Sequence, residues 1–151
     1  IEGETAAVAA AAATDEDLAA LDGFVNRMKT GDDVECEVAD QAFHQYLAGL
    51  THNGALIDTI ENLWALRMRS PLTKEIMTRS QGGDRTARIA EHKQIVSAMR
   101  IRDPAAARAA MRQHLEQVRE YLLTASETAE LESLRENFRA KRDALSRRTG
   151  Y

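Results

Sequence analysis

Asp40 and His44 stand four residues apart in ADQAFHQYLAGL, residues 39–50, beside Phe43, Leu47 and Leu50. On a helix that spacing puts an acid and an imidazole on the side that carries the apolar residues. Two further histidines repeat the anomaly. His92 lies three residues after Ile89 and three or four before Ile95 and Val96, while His114 lies three after Met111 and four before Val118. A buried polar group without a partner costs on the order of 1–3 kcal/mol, and a single inward histidine is ordinarily a core residue that has found a hydrogen bond. Three imidazoles and a carboxylate on inner faces ask for a shared solution, and one metal ion is the simplest. Imidazole with carboxylate suits zinc first, with nickel, manganese or iron(II) as alternatives. His52, in the turn THNG, reads as solvent-facing.

Arg67 adds a cation to the pattern. Leu56, Ile60, Leu63, Arg67 and Ser70 follow one another at i, i+4, i+7, i+11 and i+14, which predicts a guanidinium on the buried stripe while Arg69 points elsewhere. A cation on an inner face near a metal needs an anion between them, so Arg67 is a candidate ligand-binding residue. The alternative is an arginine reaching for the rim or paired with a core acid.

Helices must position these groups. Eight Gly and two Pro in 151 residues are few breakers, and no segment alternates with the period of a strand. Residues 2–13 are rich in Ala. Thr14 before DED predicts an N-cap and a helix from Asp15 to Gly31, and a third helix is expected from about Asp33 to Leu50. ALIDTIENLWALRMRS predicts a fourth, up to the pre-proline Ser70. Residues 71–81 suggest a short helix, QGGD a loop, and Asp84 a cap for a helix to about Ile101. Asp103 with Pro104 predicts an N-cap and first helical position, for a helix to about Ala125. A last, separate helix follows over residues 127–148. The expected fold class is all-α, an antiparallel helical bundle of six to eight helices around an internal metal and ligand cavity.

Lys and Arg number 20 against 24 Asp and Glu, a net charge of −4, so the chain lacks the positive field that supplies most affinity for nucleic acid. The single Cys36 excludes an internal disulfide and reads as a packing residue. No stretch approaches the ~20 apolar residues a membrane span requires, and the Ala-rich start lacks a basic leader, which together predict a cytoplasmic protein without a membrane partner. A chain that opens on Ile1 reads as a fragment or processed product.

The opening IEGETAAVAAAAATDEDLAAL, then DQAFHQYLAGLTHNGALIDTIENLW with its Asp-x-x-x-His, and finally EHKQIVSAMRIRDPAAARAAMRQHL resemble the ligand-sensing FCD domain of the FadR subfamily of GntR-type bacterial transcription regulators. The resemblance covers residues 1–124, the expected effector-binding domain, and leaves residues 125–151 as a C-terminal helix packing on the bundle or a dimer partner. It implies that Asp40, His44, His92 and His114 ligate one divalent ion from three helices. It also implies a homodimer and a winged-helix DNA-binding domain upstream of Ile1, so that DNA is a partner only through that missing domain. ENLWALRMRSPL is most similar to regulators of hexuronate and related sugar-acid catabolism.

The implied function is metal-dependent sensing of a small organic acid, a sugar acid or hydroxycarboxylate. Its oxygens would chelate the ion while Arg67, with Asn53 at the neighbouring helix start, holds the distal end. The alternative from another class is a helical-bundle metalloenzyme with a mononuclear site of three histidines and one aspartate. Against it, the sequence offers no further inward carboxylate as a general base and no Glu-x-x-His pair, so no enzyme is expected. A closed structural metal site would leave Arg67 unexplained.

Overall fold

The computed structural model describes residues 1–70 and 85–149, and every regular element among them is a helix. In chain order these are α1 (Glu2–Ala12), α2 (Asp15–Thr30), α3 (Asp33–Gly49), α4 (Gly54–Arg69), α5 (Arg85–Arg100) and α6 (Pro104–Thr149). The chain is an all-α bundle. The helix expected over 71–81 and the Asp84 cap lie outside the described residues.

Local chemistry sets the helix starts. Thr14 accepts from the Asp17 amide and Asp17 accepts in return from the Thr14 amide, a reciprocal cap with three acids in the first turn. Asp32 accepts from the Glu35 amide to start α3. Asp103 accepts from the amides of Ala105 and Ala106, with Pro104 at the position where a missing N–H costs nothing.

Around these starts α2 packs on α3 and α5, α5 on α6, and α3 on α4. Leu18, Leu21, Val25 and Met28 of α2 meet Phe43 and Leu47 of α3, Ile95 and Met99 of α5 and Met111 of α6 in one buried core. α1 lies against α6 through small residues: Ala6, Ala9 and Ala10 are wholly buried. A Cβ on Gly3 would stand 3.0 Å from Arg112 Cγ, so glycine permits this approach. Glu4 then clamps the pair, accepting from Arg108 and Arg112 at 2.8–2.9 Å. The docking of α1 carries Glu2 inward to the histidines.

Two expectations are corrected. α6 runs unbroken for 46 residues, ~69 Å at 1.5 Å per residue, in place of two helices divided near Ala125. Residues 105–149 contain neither Gly nor Pro, and Thr128 turns its hydroxyl back to the Thr124 carbonyl at 2.8 Å instead of interrupting the helix. From Glu130 to Arg147 the helix is exposed, with Leu131, Leu134, Phe138 and Leu145 all more than half exposed. On α4, Leu63 is exposed and the inward stripe is Ile57, Ile60, Trp64 and Arg67. Trp64 takes the inward place expected of Leu63, as the larger apolar surface, while Leu56 is half-buried as expected. Among the described residues no helix is long and apolar enough to cross a membrane.

Candidate metal centre

Asp40 and His44 from α3, His92 from α5 and His114 from α6 are all buried, and one donor atom from each lies within 4.8 Å of the others. An ion with bonds of ~2.1 Å holds its donors ~3–4 Å apart, so the set closes around one with small side-chain shifts. The rings of His92 and His114 are 4.4 Å apart, and those of His44 and His114 stack at 5.4 Å. Phe43 presses on His44 and His92 at 5.5 and 4.8 Å and walls the cluster from the core.

Each imidazole has its Nδ1 against an oxygen on the far side from the cluster, hydrogen-bonded for His92 and His114. His92 Nδ1 bonds the Arg88 carbonyl at 2.8 Å and His114 Nδ1 bonds Glu91 Oε2 at 2.9 Å, while His44 Nδ1 lies 2.5 Å from Glu2 Oε2 as an ion-pair contact without an aligned hydrogen bond. This fixes Nε2 as the donor that faces inward. His92 Nε2 and Asp40 Oδ1 are 2.9 Å apart, yet neither has an aligned hydrogen-bond partner. Two buried lone-pair atoms crowded together without a proton aligned between them fit a cation at the point they share.

Electrostatics agree. Burial alone would raise Asp40, but His92, His44 and Arg67 outweigh it and hold the carboxyl well below the usual range. Burial, with His92 and His44, pushes His114 down to about 2, a neutral imidazole suited to ligation. His44 goes the other way: burial would lower it, but Glu2 and then Asp40 raise it.

A pH dependence follows. The depressed His114 favours folding above its ordinary value of 6.5 and loses that advantage as pH falls, because the unfolded chain takes up a proton the folded one refuses. The elevated His44 stabilises below 6.5 and loses its contribution as pH rises through the folded value. The melting temperature of chelator-stripped protein should therefore climb from acid towards 6.5 and decline above it. Metal-loaded protein should lack the alkaline decline, since an ion held by His44 would remove that group's titration. Scanning calorimetry from pH 5 to 9 with and without chelator reads both limbs; a decline unaltered by metal would count against His44 as a ligand.

Arg67 joins the cluster from α4. Its Nη2 is 3.7 Å from Asp40 Oδ2 and 3.7 Å from Glu37 Oε2, its guanidinium lies 4.4 Å over the Trp64 ring, and its buried Nε has no hydrogen-bond partner. Asn53 is not brought to the cluster. Its side chain accepts from the amides of Ala55 and Leu56 as the exposed N-cap of α4, fourteen residues and ~21 Å of helix from Arg67. His52 is exposed, with φ 50 in the turn before that cap.

Sequence reasoning missed the carboxylates behind the histidines. It finds no further inward acid, but Glu2 and Glu91 both reach the cluster, each engaged on an imidazole Nδ1. Nothing in the spacing marks Glu2, which arrives by the docking of α1, and Glu91 adjoins His92 on another side of the helix and serves His114 on α6. Arg88, four before His92, and Glu37, three before Asp40, were within reach of the helical-spacing argument. Outer partners of this kind commonly change metal affinity by ~10–100-fold when removed. Glu91→Gln is expected to weaken metal binding to about that extent without unfolding the chain, as competition with a chromogenic chelator would measure.

The FCD domain model matches residues 1–117. The chain is 34% identical over 133 residues to the Uxu operon regulator of Haemophilus influenzae, covering 84% of this chain and 49% of that protein. It is 33% identical over 130 residues to the Uxu operon transcriptional regulator of Escherichia coli K12, covering 82% and 50%, and 30% identical over 116 residues to that organism's Exu regulon transcriptional regulator, covering 77% and 45%. The chain thus spans about half the length of these relatives. The solved structure of E. coli McbR/YncC superposes with a TM-score of 0.73 at 20% identity, over 82% of this chain and 59% of that one, a likeness of fold. With 117 of its 151 residues matched, the chain belongs to the FCD domain family.

Proposed function

We propose that this chain is the effector-sensing part of a transcription regulator, and that it binds a small organic acid, a hexuronate or related hydroxycarboxylate, at a metal held by Asp40, His44, His92 and His114. The observation that carries the reading is Arg67. A guanidinium 3.7 Å from the carboxylate of a four-donor cluster, with Nε unpartnered, offers an anion a cationic contact beside the donors. The names of the Uxu and Exu relatives support a regulator of this class.

A divalent ion, zinc first, would supply coordination positions for a carboxylate and a neighbouring hydroxyl oxygen. This chain's residues do the rest. Glu2, Glu91 and the Arg88 carbonyl keep each Nε2 directed inward, Trp64 holds Arg67 over the acid, and Phe43 keeps the core dry. Binding favours one arrangement of α3, α4, α5 and α6, and DNA-reading domains outside this chain follow the shift. Couplings of ~1–3 kcal/mol give a five- to 150-fold change in operator affinity. The reading includes a cytoplasmic homodimer, for which the apolar positions on the outer half of α6 provide surface. A hydrolytic reading lacks support, because both carboxylates behind the histidines lie against Nδ1 atoms and not on the inner side where a substrate would sit.

Native mass spectrometry of the purified chain, loaded with Zn, Ni or Mn and then offered D-glucuronate and D-galacturonate, tests the reading. One metal per chain and one retained acid are expected. Absence of metal from every loading, or of acid adducts at millimolar concentration, would overturn it.

A further inference from the structure

Glu37 stands between two arginines. Its Oε2 is 3.7 Å from Arg67 Nη2 on α4 and its Oε1 is 3.6 Å from Arg88 Nη1 on α5, with all three side chains about one fifth to one quarter exposed. Neither contact is within hydrogen-bonding distance, so Glu37 contributes charge and no directed bond. Arg67 is oriented by something else, its stacking over Trp64 at 4.4 Å. Arg88 is anchored independently through its bond to Cys36 Sγ at 3.8 Å, and it borders the hollow that opens on Asp40 and His92. The carboxylate of Glu37 therefore lies against the cation that the acid needs, without being needed to aim it.

We propose that Glu37 is an internal counter-anion that competes with the effector for Arg67, and that on binding Arg67 passes to the acid's carboxylate while Glu37 is left paired with Arg88 alone. This rests on the effector reading above and adds to it the residues that set the affinity threshold. Ion pairs are exchanged and not lost: α3 keeps its link to α5 through Glu37 and Arg88, while the Glu37 half of the α4–α3 contact passes to the ligand and Arg67 keeps its 3.7 Å approach to Asp40. A carboxylate that can engage the ion and Arg67 together can displace Glu37, whereas a neutral sugar of the same shape cannot, so the device selects acids.

The sign of the effect separates this from an orienting role. In metal-loaded full-length chain titrated calorimetrically with D-glucuronate, Glu37→Gln is expected to tighten binding about two- to fivefold, the range of a partly exposed ion pair. Arg88→Ala should weaken it by a similar factor, because Glu37 then rests on Arg67 alone, and that loss should disappear in the Glu37→Gln background. Metal content, read in parallel, reports that each variant is folded. Weaker or unchanged binding by Glu37→Gln, or a loss from Arg88→Ala that persists in the double variant, overturns the exchange while the effector reading stands. If the metal-loaded wild-type chain binds neither D-glucuronate nor D-galacturonate, both fall together.

Discussion

Replacing His92 with alanine is expected to lower metal affinity by more than ~100-fold, since loss of a donor should exceed the 10–100-fold typical of the groups behind it. His92 is 1% exposed, lies between Asp40 and His114, and has its Nδ1 tied to the Arg88 carbonyl, so its Nε2 is held towards the other donors. A ligand at one hundred times its dissociation constant adds ~2.7 kcal/mol to the folded state, and at ~2–4 °C per kcal/mol for a chain of this size the wild-type melting temperature should rise by ~5–10 °C on metal loading. The variant should show no rise. That comparison is internal to each protein and so discounts the cavity the substitution leaves in the core. A His92→Ala chain that keeps one tightly bound metal, or still gains several degrees from it, removes His92 from the site.

Arg67→Ala should separate acid from metal. A hydrogen bond between charged groups is worth ~1.5–3 kcal/mol, so acid affinity should fall by about ten- to 100-fold. Metal affinity should stay within a few-fold, because the guanidinium touches Asp40 only at 3.7 Å and donates no electron pair. Arg67→Lys should recover only part of the loss, since an ammonium cannot present the paired donors of a guanidinium and stacks less well on Trp64. Equal losses for metal and acid would make Arg67 a support of the cluster; undiminished acid binding would take it out of the site.

Much of this architecture is legible in the sequence because it is local. The reciprocal cap at Thr14, the Asp103–Pro104 start and the stop at Gly31 depend on groups within four residues of one another, and the structure puts helix boundaries there. The four donors are legible for a related reason. Each is a polar residue at a spacing that otherwise carries core side chains, and burial follows from spacing once the helix is granted.

What was not legible depends on how helices meet. Glu2 reaches His44 only because Gly3 and a run of alanines bring α1 close to α6, and Glu91 serves a histidine twenty-three residues away on another helix. On α4 two apolar stripes compete, and the choice of Trp64 over Leu63 is made by what α3 presents. The continuity of α6 shows the opposite limit: a polar run such as Thr124–Ser126 weakens a helix without ending it when no glycine or proline follows. Asn53 looked available as a ligand contact because its position at a helix start is also where an asparagine caps one.

In the proposed function metal and acid complete one another's site, and linkage then requires each to bind more tightly in the presence of the other. Its most direct test is calorimetric titration of D-glucuronate and D-galacturonate into metal-loaded and chelator-stripped protein, with circular dichroism showing that the stripped chain remains helical. Binding at least ~10-fold tighter with metal is expected, the lower part of the range for coupled sites. Equal affinity with and without metal would contradict it and leave the four donors a structural role.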